Sequence, residues 1–129
     1  MEVLTANYIS LATYRKSGAR VDTPVWAAPV NGKLYVFSAG EAGKVKRLRN
    51  SSQAQIAPCD VRGKLEGDWV PAQAELFNDV DEIDAALKAL RAKYGWQMWL
   101  ADVGSRLTGK YNKRAYIRIT LEDAPSSPD

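Results

Sequence analysis

The pattern of hydrophobic and polar positions predicts mostly strands in the first 77 residues and helices after them. Apolar runs that contain β-branched or aromatic residues lie at 8–14, 21–30, 33–38, 53–59 and 66–77. Runs of this length, bounded by turn-forming residues, are typical of strands. Residues 111–121 alternate between two sets of side chains, and Ile117 and Ile119 belong to the more apolar set. This two-residue period predicts a last strand with one buried face.

The most specific local feature is a hairpin. Asn31-Gly32 separates the second and third apolar runs, and this dipeptide favours a two-residue type I′ turn because both turn residues take positive φ. Such a turn places Val30 opposite Lys33 and Trp26 opposite Phe37 across the ladder.

The run before this turn is unusually long and contains Pro24 and Pro29. Proline has no N–H to donate to a ladder, so it is confined to edge strands, bulges and strand ends. We therefore expect an edge, a bulge or a bend within residues 21–30.

Three segments follow the period of helices. The longest starts at a capping box formed by Asp79 and Glu82, ends at Gly95, and has one apolar face consisting of Val80, Ile83, Leu87, Leu90 and Tyr94. A second amphipathic helix follows, with an apolar side made of Trp96, Trp99, Leu100 and Val103. A short helix is expected earlier, at 43–50, with Val45 and Leu48 facing inward.

Antiparallel strands with helices grouped late indicate an α+β fold, a small barrel rather than an alternating parallel sheet. With 129 residues the chain fits one domain, which we assign to residues 1–122. Residues 123–129 are rich in proline and serine and are expected to be a disordered tail.

Composition narrows the possible chemistry, because the chain contains no histidine and one cysteine. This excludes nucleophiles activated by an imidazole, a zinc site built from Cys and His within one chain, and an internal disulfide. We therefore expect no metal site, and we identify no catalytic residue beyond Tyr8, Tyr14 or solvent as possible proton donors. If the protein is an enzyme, a bound cofactor is expected to carry the reactive group.

No apolar run approaches the roughly 18–20 residues of a membrane span, and the N-terminus lacks the pattern of a secretory signal. We therefore expect a cytoplasmic protein without a membrane span. The formal net charge of +3 conceals segregated charges, with only acids among the charged residues at 75–84 and only bases at 106–118. The basic stripe leaves nucleic-acid binding as an alternative, although strand alternation divides it between two faces.

Two segments are candidates for ligand binding. A strand ends at Ser38, a glycine-containing loop follows, and a basic helix begins near Gly43. The free N–H groups of a helix N-terminus favour anions, and Lys44 and Arg47 lie within roughly 60° of each other around the helix. A phosphate site and a merely solvated helix face both remain open at this stage. Because Val45 follows Lys44, the segment is not a Walker loop.

The second segment is Thr23-Pro24-Val25-Trp26, in which a strand bent by proline offers backbone groups beside a tryptophan. Trp26 is equally compatible with a place in the core. Cys59 is expected to be a small buried residue, and Trp96 and Trp99 are expected to be core or dimer contacts.

Four segments together resemble one known superfamily: 8–14 (YISLATY), 23–26 (TPVW), 43–48 (GKVKRL) and 57–63 (APCDVRG). Their order and spacing, over roughly residues 8–121, are similar to the pyridoxamine-phosphate-oxidase-like split β-barrel proteins, and most to the branch of oxidoreductases that depend on the deazaflavin coenzyme F420. The resemblance implies a homodimer of six-stranded antiparallel split barrels with flanking helices. It also implies a cofactor in each of two clefts at the subunit interface.

The resemblance assigns Thr23, Pro24, Val25 and Trp26 to the strand beside the cofactor ring, and Lys44 to the cofactor's phosphate. Ser38 and Arg47 occupy positions where relatives make further phosphate or ribityl contacts. Pyridoxamine phosphate oxidases carry Arg at the position of Thr23 and Lys at that of Ala28, so the resemblance argues against the pyridoxamine reaction. Lys46, Arg49 or Arg62 would suit the carboxylates of the F420 tail.

The implied function is an F420H2-dependent reductase that transfers a hydride to an electron-poor small molecule such as a quinone or enone. Two alternatives remain on the same barrel: an FMN-binding oxidoreductase, and a flavin or deazaflavin carrier without turnover. A haem carrier is disfavoured because the usual axial histidine is missing.

Overall fold

The computed structural model describes residues 3–122, apart from the side chain of Tyr111. The tail predicted at 123–129 lies outside the described residues. Within them there are seven strands, whose bounds are β1 Tyr8–Tyr14, β2 Arg20–Val25, β3 Ala28–Val30, β4 Lys33–Ala39, β5 Gln53–Cys59, β6 Val70–Phe77 and β7 Arg114–Leu121. Three α-helices accompany them: α1 Gly43–Asn50, α2 Val80–Tyr94 and α3 Trp96–Leu107. The fold is therefore α+β, as predicted.

The strands form one curled antiparallel sheet in the order β2-β1-β5-β6-β7-β4-β3. The expected count of six is wrong because the long strand predicted at 21–30 breaks at Trp26-Ala27 into β2 and β3. These two strands lie at opposite ends of the sheet, although only two residues separate them in the chain. The sheet must therefore curl until its ends approach each other, which gives the half-barrel. Both prolines occupy these end strands. An edge strand tolerates proline because a residue there can lack an N–H without breaking a ladder hydrogen bond.

The predicted hairpin is confirmed. Asn31 has φ 52° and Gly32 has φ 82°, and Val30 pairs with Lys33. The β3–β4 ladder includes only residues 28–30, so Trp26 and Phe37 are not ladder partners as predicted. Their rings still meet edge to face, with centroids 6.3 Å apart.

Two strands begin later than predicted. β6 begins at Val70 rather than at residue 66, and one isolated bridge joins Leu65 to Cys59 before it. β7 begins at Arg114 because Tyr111–Lys113 form a 3₁₀ turn. Lys113 therefore lies outside the alternating strand in which we had placed it. Ile117 and Ile119 are fully buried in β7, as the period predicts.

The helix predictions are confirmed for α1 and α2 and fail in part for α3. α1 has the predicted bounds and buries Val45 and Leu48. In α2 the Asp79 carboxylate accepts a hydrogen bond from the Glu82 backbone N–H, and Gly95 ends the helix with φ 56°. The side chain of Glu82 does not complete the capping box, because it contacts Arg118 and Tyr35 instead. Val80, expected on the apolar face, is exposed.

In α3 three of the four residues predicted to form the inward apolar side point outward, and the fourth, Val103, is half-buried. Trp96, Trp99 and Leu100 are exposed, whereas Met98 and Asp102 are buried. The expectation that the two tryptophans are core contacts is wrong within this chain, because ion pairing of Asp102 determines which face turns inward. Asp102 accepts hydrogen bonds from Arg91 of α2 at 3.1 Å and from Arg114 of β7 at 2.9 Å.

The core has two parts. A barrel cluster includes Ile9, Leu11, Leu34, Ile56 and Ile117, and a smaller cluster lies between α2, α3 and the sheet around Ala28, Leu87, Leu90, Tyr94 and Met98. α2 is fixed over the second cluster by polar contacts at its first turn. The Glu82 carboxylate accepts hydrogen bonds from Arg118 at 2.7 Å and from the Tyr35 hydroxyl at 2.7 Å.

These contacts bear on the basic stripe at 106–118. Arg114 and Arg118, its two strand residues, bond to Asp102 and Glu82 within the chain. Both strand arginines are therefore engaged within the chain. The expected division of the stripe between two strand faces is wrong, because Lys113 precedes β7.

Two tyrosines are predicted to link stability to alkaline pH. Burial raises the pKa of Tyr35 and of Tyr94 to about 12. An unfolded tyrosine loses its proton near pH 10, so between pH 10 and 12 the folded chain binds more protons than the unfolded chain. The contribution of these two groups to the free energy of unfolding should therefore be constant below pH 10 and should decrease as the pH rises above 10. Urea unfolding between pH 9 and 11.5 measures this fall, and Tyr35→Phe and Tyr94→Phe should each reduce it. An unchanged pH dependence in both variants would contradict the assignment.

Candidate functional site

A surface cleft of about 350 Å³ collects residues from both candidate segments of the sequence. It lies beside the break between β2 and β3 and below the start of α1, and it is lined by Tyr8, Pro24, Val25, Trp26, Phe37, Lys44 and Val61. The predicted residues Pro24, Val25, Trp26 and Lys44 thus share one cavity, although about 20 positions separate the two segments. Their role in binding remains a prediction.

The basic end of the cleft is the first turn of α1. The preceding residue, Ala42, has no side chain that can cap the helix. The backbone N–H groups of the first turn therefore give this end a partial positive charge. Lys44 lies on the same turn, and burial, with a smaller contribution from Arg47, lowers the pKa of its ammonium. An anion bound here would regain the interactions that both groups lose on desolvation.

Arg47 lies beside this end rather than among the residues that line the cleft. Its Nε donates a hydrogen bond to the Thr13 hydroxyl at 2.6 Å, and its guanidinium packs on Gly43, where an added Cβ would lie 2.7 Å from Nη1. Burial, and then the nearby charge of Arg15, lower the pKa of Arg47. The guanidinium thus adds positive charge to the start of α1.

The other two predicted residues lie away from the cavity surface. Ser38 is buried, and its hydroxyl donates to the carbonyl of Ala39 at 3.2 Å. Thr23 is partly exposed and pairs with Leu11 in the ladder between β2 and β1. The structure therefore brings four of the seven predicted residues together in the cleft, with Arg47 beside them.

The aromatic wall of the cleft is Trp26, whose ring stacks on Tyr94 with centroids 4.8 Å apart and planes 14° from parallel. Phe37 contacts the same indole edge to face. Trp26 is half-buried: it packs on the core of α2 and also lines the cavity.

The position of Trp26 depends on two residues that sequence reasoning did not assign to the site. The Tyr94 hydroxyl accepts a hydrogen bond from the Ala27 N–H at 3.0 Å and donates to the Asn7 carbonyl at 2.6 Å. The Lys93 ammonium donates to the carbonyls of Ala6 and Ala27 at 2.6 and 2.5 Å. In the sequence, Lys93 belongs only to the basic last turn of a helix and Tyr94 only to its apolar face. No signal linked either residue to Ala27.

A second cavity of about 430 Å³ adjoins the cleft and shares Tyr8 and Val61 with it. Its remaining lining is more acidic and includes Asp60 and Glu66. Cys59 is buried here, as predicted, and burial together with these two carboxylates raises the pKa of its thiol. A thiol held neutral in this way is a poor nucleophile, which agrees with a packing role.

Residues 3–122 contain neither a cluster of metal ligands nor a membrane-spanning helix. In that range, no group of three or more cysteine and carboxylate side chains is placed to hold a metal ion. Likewise, no helix in that range is both long and apolar enough to cross a membrane.

Solved structures place this architecture among known folds. A conserved hypothetical protein from Mycobacterium tuberculosis is 17% identical, with 98% of this chain and 86% of that chain covered at a TM-score of 0.70. The heme storage protein HutZ from Vibrio cholerae is 12% identical, with 93% and 84% covered at a TM-score of 0.68. A FAD-binding protein from Mesorhizobium loti is 17% identical, with 94% and 83% covered at a TM-score of 0.63.

The chain therefore shares the fold of these structures, a curled antiparallel sheet of the split-barrel type with three helices. No protein-family model and no curated protein matches the sequence. In two further structural matches the chain spans only about half of the matched protein's length. At such low sequence identity the structural similarity establishes the fold only, and the activity has to be inferred from the site.

Gly40 provides a test of how α1 is positioned over the cleft. A Cβ at this residue would collide with the backbone carbonyl oxygen of Lys113, so alanine should force the loop before α1 away from β7. We expect Gly40→Ala to lower the free energy of unfolding by about 1–3 kcal/mol in urea denaturation.

Gly104→Ala is the matched control, because nothing lies within 4 Å of a Cβ there. Gly104 is inside α3, so alanine should stabilise the protein by up to about 1 kcal/mol. Equal stability of the two variants would show that the close approach at Gly40 does not constrain the fold.

Proposed function

We propose that the protein is an F420H2-dependent reductase that delivers a hydride to an electron-poor small molecule such as a quinone or enone. The observation that carries the proposal is the composition of the cleft, in which a desolvated lysine at a helix N-terminus and a stacked indole line the same 350 Å³ cavity. This arrangement suits a ligand with a phosphate at one end and a planar ring at the other.

The phosphate would be held at the start of α1. Lys44 supplies a charged donor, the first-turn N–H groups supply neutral donors, and Arg47 adds a second positive charge nearby. The described ion pairs of the chain involve neither Lys44 nor Arg47, so no carboxylate in them competes for these two cations. The donor set therefore fits a phosphate monoester or diester.

The ring would lie beside the break between β2 and β3. Pro24, Val25 and Trp26 form this wall, and Phe37 supports Trp26 from β4. A bound deazaflavin supplies the hydride. The chain's own contribution is to orient the ring, exclude water and bind the charged end. Tyr8 lines both this cleft and the adjoining cavity, so its phenol is a candidate proton donor to a substrate held there.

The choice of F420 over FMN rests on the sequence resemblance and on two departures from pyridoxamine phosphate oxidases. The basic residues of those enzymes are replaced here by Thr23 and Ala28. Ala28 is fully buried against α2, so no cation can reach the cleft from that position. Binding charge is instead concentrated on α1, where Lys46 and Arg49 are exposed and available to the carboxylates of an F420 tail.

An FMN-binding oxidoreductase, or a flavin carrier without turnover, is the second candidate. The structural similarity to a FAD-binding protein favours it, because the same fold there holds a flavin. The similarity to a heme storage protein suggests a further carrier role, but this chain has no histidine to serve as the usual axial ligand.

We further propose that the protein acts as a homodimer. The cleft is open on one side, and the resemblance places the cofactor between two subunits. The wall formed by Val61, which is 64% exposed, would then be covered by the partner.

Titration of the purified protein with F420H2, FMN and FAD separates these candidates. We expect saturable binding of F420H2 and weaker binding of the two flavins, followed by F420H2 oxidation when a quinone such as menadione is added. Absence of F420H2 binding below about millimolar concentration would overturn the proposal. Tighter binding of FMN, with a flavin absorbance band in the protein as purified, would favour the second candidate.

Lys44→Ala tests the phosphate site directly. If the ammonium bonds the phosphate, its removal should weaken F420H2 binding by about 1.5–3 kcal/mol, or roughly 10- to 150-fold. Lys88→Ala is the control, because Lys88 is exposed on α2 and does not line the cleft. We expect it to change binding by less than about fivefold. Equal affinities of the wild-type protein and Lys44→Ala would remove Lys44 from the site.

A further inference from the structure

Helix α3 is amphipathic in the reverse sense, with polar groups turned inward. The buried Asp102 pairs with Arg114 and Arg91, and the Ser105 hydroxyl accepts a hydrogen bond from Arg114 at 3.0 Å. Met98 is the one large apolar residue that α3 buries completely. A helix of a globular domain normally buries its apolar face, so this orientation leaves that face for another surface.

The outward face carries large apolar side chains at helical spacing. Their exposed fractions are Trp96 70%, Trp99 62%, Leu100 50% and Leu107 83%. None of the four lines the cleft or the adjoining cavity. At about 200 Å² for a fully exposed large side chain, they present roughly 500 Å² of contiguous apolar surface. The largest apolar patch of a monomeric domain often has about this size and often marks a site of interaction.

The chain segment that follows this face is positively charged. The sequence contains no Asp or Glu between Asp102 and Glu122, and exposed Lys110 and Lys113 follow within six residues of Leu107. The two arginines of this stretch that lie in β7 are paired inside the chain, whereas these lysines are exposed next to the end of α3. Exposed indoles and leucines beside lysines are the combination by which helices bind the surface of an anionic bilayer.

We propose that α3 is a docking surface for an anionic lipid bilayer, on which the helix lies in the plane of the interface. Trp96, Trp99, Leu100 and Leu107 would enter the headgroup region, and Lys110 and Lys113 would face the phosphates. A second copy of the chain is the less favoured occupant, because the homodimer proposed above forms at the cleft, which no residue of α3 lines. The exposed face of α3 is also smaller than the area of about 800 Å² that each partner of a stable interface buries.

Vesicle cosedimentation tests the apolar part of the surface. We expect the protein to sediment with phosphatidylcholine vesicles that contain 30% phosphatidylglycerol, with a blue shift of tryptophan emission. The double variant Trp96→Gln/Trp99→Gln should lose at least tenfold in vesicle affinity and show no blue shift. Leu65→Gln is the matched control, since Leu65 is an exposed leucine in the turn before β6 and should leave binding unchanged. Near-UV circular dichroism confirms that each variant is folded.

Vesicles of phosphatidylcholine alone, and the double variant Lys110→Glu/Lys113→Glu, test the charge. We expect weak binding to neutral vesicles, a loss of roughly fivefold per lysine on anionic vesicles, and a steep decrease with salt. Absence of vesicle binding by the wild-type protein would overturn the proposal. If Trp96→Gln/Trp99→Gln instead converts a dimer to a monomer in light scattering while vesicles do not bind, the occupant of α3 is a second copy. Neither result depends on which cofactor the cleft binds.

Discussion

The break in the long strand at Trp26-Ala27 is the constraint on which the rest of the structure depends. It places β2 and β3 at opposite ends of one sheet, so the sheet has to curl. An interrupted strand leaves backbone groups without ladder partners, and buried polar groups without partners destabilise a fold. The last turn of α2 supplies the missing partners, because Tyr94 binds the Ala27 N–H and Lys93 binds the Ala27 carbonyl. The same two residues also hold the segment before β1, so one helix end fixes the barrel closure and the wall of the cleft.

The electrostatics of the cleft follow from what that architecture leaves unpaired. Two acidic residues of the helices that cover the sheet, Glu82 and Asp102, are each bonded to an arginine of β7. Lys44 and Arg47 at the start of α1 take no part in these pairs, and burial lowers their pKa values because it makes their charge unfavourable. A site of this kind gains free energy by binding an anion and gains little from a neutral ligand. This asymmetry is the physical reason for proposing a phosphate-bearing cofactor.

Local chemistry in the sequence was sufficient to predict the hairpin, α1, the start of α2 and the last strand, because each is determined by neighbouring residues. Asn31-Gly32 and Asp79 are examples, since their turn and cap form within three residues. The strand break was not predicted, because Pro24 and Pro29 indicate an edge, a bulge or a bend and do not show that the strand ends between them. Lys93 was missed at the site because its contacts lie 66 and 87 positions away. Four of the seven predicted site residues line the cleft, but Ser38 and Thr23 do not, because periodicity cannot say which strand residues reach a cavity.

The orientation of α3 shows why hydrophobic pattern alone misassigned a face. The pattern correctly predicts an amphipathic helix, but it takes the apolar side to be the inner one. Asp102 reverses this, because a buried Arg114 requires a carboxylate partner and only the polar side of α3 can supply it. Leaving that arginine buried without the carboxylate would leave an uncompensated charge, which destabilises a fold by about 3–5 kcal/mol. The ion pair therefore fixes the rotation of the helix, and the exposed apolar face is its consequence. Such an exposed apolar face gains free energy when a partner covers it, and this is the basis for proposing a binding partner for α3.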